Sequence, residues 1–367
     1  MFDADVFILG GGPAGLAAAV AARQAGLSVV LADAKRPPID KACGEGLMPD
    51  SVLAAARLGL NLPPDCGCRF KGIRFQDANH SVAAEFPDGA GFAVRRTLLQ
   101  PLLAARAEQI GAELLWGHPV TRFQDNTVFL AEKSLRARWI IGADGSQSSV
   151  RRWAGLQRFR RDGQRFSYRR HYRIAPWSDY VEVFWGENCQ LYVTPIGVNE
   201  ICVALLTRNS RQRLSDALRF FPLLEKRLRG CDAITTERGA LAATRHLYRV
   251  TRGNVALVGD ASGTVDPITG EGLGLAFKQS MALATVLSAG DLNLYERAHR
   301  RLARRPRFMA DFMLLMDRSK RLRQRSLAAF ESHPHLFANL LAMHIGKLTP
   351  ARFAATATRL GWQVITA

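Results

Sequence analysis

The chain has 367 residues, 48% of them apolar, and a formal net charge of +18. That length is enough for one large core or two medium ones, and the apolar share argues against disorder except at the tail. Of the 50 basic residues 42 are arginine, and eleven Lys and Arg fall between Arg297 and Arg325. No recognition motif accompanies this charge, which argues against nucleic acid. It reads first as solvated helix faces and second as a surface for anionic lipid or an acidic carrier. The six cysteines (Cys43, Cys66, Cys68, Cys189, Cys202, Cys231) are scattered without zinc spacing or a disulfide framework. They predict no metal and a reducing, cytoplasmic setting.

The uncharged run 6–22 follows Asp3 and Asp5 and is broken by glycines and Pro13. It therefore lacks the basic start and the length of a signal peptide or a membrane span. Residues 5–9 read instead as a short buried strand, 16–25 as an alanine-rich helix, and 28–32 as a second strand ending in Asp33. Between strand and helix lies Gly10-Gly11-Gly12-Pro13-Ala14-Gly15. This is a dinucleotide fingerprint in its proper context. Gly10 permits the turn, Gly12 lets the backbone approach a pyrophosphate, and Gly15 lets the helix pack on the sheet. The pyrophosphate rests on amides at the helix N-terminus. Asp33, 18 residues after Gly15, is placed to accept ribose hydroxyls.

Farther on, Cys43-Gly44-Glu45-Gly46 follows the second strand, and Val94-Arg95-Arg96 heads a helix over 97–110. The segment 138–151 delivers Asp144 and Gly145 to a turn that Ser148 or Ser149 can cap; standing alone it would be an ordinary Asp-Gly turn. In 253–274 a buried strand ends in Gly259-Asp260, and a proline loop leads to a glycine-rich helix start at Gly270, Gly272, Leu273 and Gly274. A carboxylate at 260 suits the hydroxyls of a ribityl chain, and the amides of that helix start suit an anionic ring. Aromatic and β-branched strands fill 166–206. Tyr180, Phe184, Trp185 and Tyr192 are candidates for an apolar pocket, with plain sheet core as the alternative. Helices after 290 carry an apolar face that either covers that pocket or meets a membrane.

These three glycine-and-aspartate stretches, in this order, resemble the para-hydroxybenzoate hydroxylase superfamily of FAD proteins. The resemblance implies a Rossmann-like α/β FAD-binding domain (1–65, 94–160 and 249–290), interleaved with an antiparallel-sheet substrate domain (66–93 and 161–248). A C-terminal helical region (291–367) completes it. It implies that Asp33 holds the adenosine ribose and Asp260 the ribityl chain, that Arg96 is a basic cofactor contact, and that Asp144 lies near the pyrophosphate. Gly270, Gly272 and Leu273 would then flank the pyrimidine edge of the flavin. A salt bridge at a solvated helix start is the alternative for Arg96. The cofactor is then FAD, with NADPH or NADH as a transient donor.

The Cys-Gly-Glu-Gly loop and 266–272 are similar to the geranylgeranyl reductase branch. That branch's aromatic-rich strand motif is replaced here by 190–197, and the halogenase tryptophan motif is absent. Cys43 and Glu45 are the catalytic candidates, as proton sources or as a reactive thiol. Their alternatives are a small buried hydrophobe and a helix-start carboxylate. The expected activity is reduction of a C=C bond in a hydrophobic, isoprenoid or lipid-like substrate, by a cytoplasmic or membrane-peripheral enzyme. A monooxygenase acting on aromatic or polyketide-type compounds is the alternative, and a flavin-binding protein without turnover is a third reading. The sequence names neither the substrate, nor the choice of pyridine nucleotide, nor the oligomeric state.

Overall fold

The computed structural model describes residues 1–348 and Thr358; residues 349–357 and 359–367, including the tail excepted from the argument against disorder, lie outside the described residues. The apolar segment Val6-Phe7-Ile8 is fully buried within the strand Ala4–Leu9. This strand sits at the middle of a parallel array. Val29–Asp33 and Glu113–Trp116 lie on one side, and Ser134–Gly142 and Val255–Leu257 on the other. Near-continuous Val, Ile and Leu runs are what a parallel sheet buried on both faces requires. The helix Pro13–Gln24 packs between the helices Arg96–Gln109 and Gly272–Ala289. The strands being parallel, Gly10, Asp33, Asp144 and the loop after Leu257 all emerge at the same edge, where ligands of such sheets bind.

A second sheet runs Asp232–Ala233, Phe159–Arg173, Glu200–Thr207, Cys189–Gly197, Tyr180–Trp185, Gly72–Gln76, Ser81–Glu85, and Arg238–Leu247 pairs with Phe159–Arg173. All its ladders are antiparallel except that between Tyr180–Trp185 and Gly72–Gln76. The expectation that 66–93 joins this sheet needs refinement. Gly91–Val94 pairs with Gly67–Phe70 on one side and Gly46–Leu47 on the other, in a separate three-stranded sheet that carries the Cys43–Gly46 loop. Glycine makes that pairing tight: a Cβ at Gly67 would lie 2.1 Å from the Ala93 carbonyl oxygen.

On one face of the large antiparallel sheet, Phe75, Val181 and Val183 pack against Met309, Met313, Phe330 and Phe337 of the helices Leu292–Arg318, Lys320–Ser332 and Pro334–His344. On the other face, Phe184, Leu191, Val203 and Leu205 are covered by the short helices Leu214–Leu218 and Pro222–Leu228. A buried ionic lattice joins these parts. Arg165 donates to Asp266 (3.1 Å) and to Gln190 (2.5 Å), while Arg208 reaches Asp317 (2.5 Å) on the long helix. Among the described residues no helix is long and apolar enough to cross a membrane.

Candidate functional site

The glycine turn has the conformation its spacing predicts. Gly10 has φ +114°, and a Cβ there would lie 2.6 Å from the Ala143 carbonyl oxygen. At Gly15 a Cβ would come within 1.8 Å of the Gly10 carbonyl oxygen, so only glycine lets the helix start against the turn. Gly12 is different: the nearest atom to a Cβ there would be a guanidinium nitrogen of Arg96, at 3.5 Å. The helix Pro13–Gln24 has no side-chain cap at its N-terminus, which lies beside that guanidinium. An uncapped N-terminus facing an arginine suits an anion of the pyrophosphate kind. The neighbouring Arg95 is engaged elsewhere, by Glu200.

Asp33 closes this end of the groove. Its two oxygens accept from the amides of Gly11 (2.7 Å) and Lys35 (2.8 Å). Asp144 uses its carboxylate locally, accepting from Ser148 Oγ (2.5 Å) and from the amides of Ser149 (2.6 Å) and Val150 (3.1 Å). Ser148 in turn caps the helix Ser149–Trp153 by accepting from the Arg151 amide. Asp144 thus fixes the turn that lines the groove.

At the other strand end, Gly259 (φ +57°) presses against Ala14, where a Cβ would lie 2.5 Å from the alanine methyl carbon. Asp260 follows and accepts from Lys41 Nζ at 2.8 Å; the ammonium holds this carboxyl below its ordinary range. Well inside the helix Gly272–Ala289, whose start has no side-chain cap, Ser280 Oγ lies 2.9 Å from the Ala276 carbonyl and 3.2 Å from that of Ala14, against the helix Pro13–Gln24. Gly272 is open where Gly274 is not, since a Cβ at 274 would strike Ser51 Oγ at 1.9 Å.

The groove continues into one cavity of about 830 Å³, whose far walls include Phe75, Val183, Met309, Met313, Phe337 and Leu341. Of the four aromatic candidates only Tyr192 lines it, donating its hydroxyl to the Ile268 carbonyl (2.9 Å). Tyr180 lies at the surface with Lys71 and Glu85, Phe184 faces the opposite side of the sheet, and Trp185 packs edge-on against Phe75 in the core.

Cys43, Glu45 and Gly46 line the cavity. Burial pushes the Cys43 thiol up from its ordinary pKa, although the nearby Arg96 charge works against this. The thiol therefore keeps its proton at neutral pH and is no activated thiolate. Glu45 is only 2% exposed and has φ +63°. Its Oε1 accepts from the Arg96 amide (3.1 Å), and its Oε2 lies 2.7 Å from His171 Nε2.

His171 and Arg169 were not singled out in the sequence, yet both are buried at this loop. Arg169 Nη1 lies 3.1 Å from His171 Nδ1 and its Nη2 donates to Asp40 (2.5 Å). A guanidinium can only donate, so Nδ1 must present a lone pair and Nε2 must carry the ring hydrogen. His171 is therefore the donor to Glu45, and both Glu45 oxygens face donors, as a carboxylate requires. The same logic bears on the cluster of Glu45, His171 and Cys202, whose ligand atoms all lie within 4.8 Å of one another. A cation bound there would have to displace the Nε2 hydrogen and the proton of the Cys202 thiol, which burial pushes well up.

Comparison with known proteins agrees with this geometry. Residues 3–172 match the FAD binding domain family. The chain is 29% identical over 324 residues to a menaquinone reductase of Mycolicibacterium smegmatis, covering 80% of this chain and 79% of that protein. It is 31% identical over 298 residues to digeranylgeranylglycerophospholipid reductase 2 of Methanothermobacter thermautotrophicus, covering 74% of each. In fold it is similar to a geranylgeranyl bacteriochlorophyll reductase-like protein from Thermoplasma acidophilum (TM-score 0.76, 19% identity, 99% and 98% of the two chains). It is also similar to a 2-methyl-3-hydroxypyridine-5-carboxylic acid oxygenase (TM-score 0.69, 23% identity, 96% and 95%). The chain belongs to the para-hydroxybenzoate hydroxylase-like FAD-binding superfamily, in its geranylgeranyl reductase-like branch, and is an FAD-dependent oxidoreductase.

Proposed function

We propose that this oxidoreductase saturates a C=C bond of a hydrophobic, isoprenoid or lipid-like substrate, with NADPH or NADH as the electron donor. The observation that carries the reading is one continuous cavity, polar and anion-ready at the glycine turn and walled by Met, Phe and Leu among the C-terminal helices. The names of the relatives, a menaquinone reductase and a digeranylgeranylglycerophospholipid reductase, point to the same substrate class. Contact with an anionic membrane or acidic carrier belongs to this reading, as the surface from which such a substrate is drawn.

In this scheme the amides of Gly12 and Ala14 together with Arg96 hold the pyrophosphate of FAD, Asp33 the ribose and Asp260 the ribityl hydroxyls. Gly270, Gly272 and Leu273 border the ring. The chemistry that FAD supplies when bound is two-electron transfer, hydride taken from a pyridine nucleotide and given to one alkene carbon. The other carbon needs a proton. Cys43 is the proton-bearing group of its loop, because its thiol is held neutral while the Glu45 carboxylate accepts two hydrogen bonds. Glu45 fixes the loop and places a negative charge beside the thiol, which keeps the proton on sulfur. The apolar helical wall excludes water, so reducing equivalents pass to the alkene.

The test is product analysis on a panel of prenylated quinones, isoprenoid lipids and phenols, with NADPH or NADH, with and without oxygen. A saturated product formed in the absence of oxygen supports the reading. An oxygen-dependent hydroxylated product overturns it in favour of a monooxygenase, and a bound flavin that no pyridine nucleotide reduces argues for a binder without turnover. Cys43→Ala should slow product formation while leaving the rate of flavin reduction by the donor unchanged.

A further inference from the structure

The two short helices on the outer face of the antiparallel sheet present an unusual surface. Their inner side is anchored by Leu214, Phe221, Leu224 and Leu228, all buried. The turn between them carries Phe220 and the second helix Leu223, which are 67% and 77% exposed. Large apolar side chains this exposed, three residues apart and on a firmly anchored support, form a protruding tip. Along the sequence from Arg211 to Arg229, which includes both side chains, six basic residues stand against two acidic ones. Arg219, Lys226 and Arg229 are exposed, and none of them is paired with a carboxylate among the described residues. Arg227 lies over the Trp177 ring (4.8 Å to its centroid), which puts an indole beside the patch.

We infer that Phe220 and Leu223, with the collar of Arg219, Lys226 and Arg229, form the surface by which the protein docks on an anionic bilayer. Two protruding side chains are far too few for a stable protein interface, which needs about 800 Å² from each partner. They suit the headgroup boundary of a bilayer, where an apolar tip enters roughly 5–10 Å and cations meet lipid phosphates. The basic stretch 297–325 is a weaker candidate, because parts of it are spent inside the molecule. Arg305 is bound to Asp50, and Arg323 is buried with its guanidinium on the Met316 carbonyl. This inference extends the lipid-substrate reading, and its test needs no substrate, so the two can fail separately.

The experiment uses the FAD-loaded protein and vesicles of phosphatidylcholine, alone or mixed with phosphatidylglycerol. Cosedimentation is measured at low and high salt, with Trp fluorescence as a second signal. The wild type should bind the anionic vesicles, lose that binding as salt screens the collar, and bind pure phosphatidylcholine more than about tenfold more weakly. The double variant Phe220→Ser with Leu223→Ser, and separately the triple variant Arg219→Glu, Lys226→Glu, Arg229→Glu, should each weaken binding more than about tenfold. Both should keep the wild-type melting temperature, since the altered side chains are exposed. A control triple variant, Arg297→Glu, Arg301→Glu and Arg304→Glu, should bind as the wild type does. The inference is overturned if the wild type stays in the supernatant, if the Phe220 and Leu223 variant binds undiminished, or if only the control loses binding. It is equally overturned if the wild type is a dimer that this double variant makes monomeric without any binding to vesicles, for the tip would then be a face between two copies of the chain.

Discussion

The contact between Glu45 and His171 offers the sharpest test of how the Cys43 loop is held. Glu45 occupies a left-handed backbone conformation that costs a non-glycine residue about 1–2 kcal/mol. Its carboxylate more than offsets this if the 2.7 Å bond to His171 and the 3.1 Å bond from the Arg96 amide each contribute the roughly 1.5–3 kcal/mol typical of hydrogen bonds to charged groups. Glu45→Gly should therefore destabilise the protein by about 1–5 kcal/mol, although glycine is the residue that the backbone angle favours. Glu45→Gln keeps the shape, yet its amide nitrogen must face either the imidazole N–H or the helix amide, donor against donor. His171→Phe leaves Glu45 Oε2 buried and unpaired. Each should cost about 2–3 kcal/mol, and the double variant little more than the larger single, a coupling of about 1.5–3 kcal/mol. Urea unfolding of the flavin-free protein, followed by far-UV circular dichroism, gives the four stabilities. Additivity within about 0.5 kcal/mol, or a Glu45→Gly variant more stable than the wild type, would refute the reasoning.

Other outcomes follow from the same geometry. Asp260→Ala should strip most of the bound FAD, read by absorbance after gel filtration, because it removes the carboxylate assigned to the ribityl hydroxyls and leaves Lys41 alone in the groove; full occupancy would show the assignment misplaced. Asp317→Ala should cost about 3–5 kcal/mol in unfolding free energy, since Gln190 and Arg208 lose their acceptor and the buried Arg165 loses a neighbouring charge; a loss under about 1 kcal/mol would mean that solvent reaches the lattice. Burial, aided by neighbouring arginines, pushes His299 down from 6.5 to about 3 and His246 to about 4. The fold favours the neutral rings, so the stability they contribute is present above pH 6.5 and is lost as pH falls toward 4 and then 3. The melting temperature should fall steadily from pH 7 to pH 4, and His299→Gln should flatten part of that slope; an unchanged slope in the variant would refute the assignment.

The cofactor half of the molecule is legible in the sequence because its signals are local. Gly10, Gly12 and Gly15 sit within six residues of one another; Gly10 and Gly15 are demanded by close backbone contacts at the same turn, and Gly12 leaves open space beside Arg96. Asp33 and Asp260 are legible for the same reason, each ending an apolar strand whose direction the parallel sheet fixes. The three-stranded sheet around Gly46 was not legible, since pairing of two- to four-residue strands depends on tertiary context rather than on periodicity.

The substrate half conceals its polarity. Along Phe159–Arg173 the sequence alternates, with Arg165, Ser167, Arg169 and His171 on one face and Phe166, Tyr168 and Tyr172 on the other. The ordinary inference puts the charged face in water. Here that face is turned inward: Arg165, Arg169 and His171 are only 2–3% exposed, and the tyrosines pack outward beneath the short helices. A charged stripe can be buried only where each charge has a fixed partner, and those partners, Asp40, Glu45 and Asp266, lie on loops at least 101 residues away in sequence from the groups they bind. Alternation alone therefore identifies the strand but not the side that faces the site. What could have identified it is the number of carboxylates in the two loops already assigned to the cofactor. Asp40 and Glu45 in the first loop, and Asp266 and Glu271 in the second, exceed what a flavin requires, and cations from elsewhere in the chain had to be arranged around them.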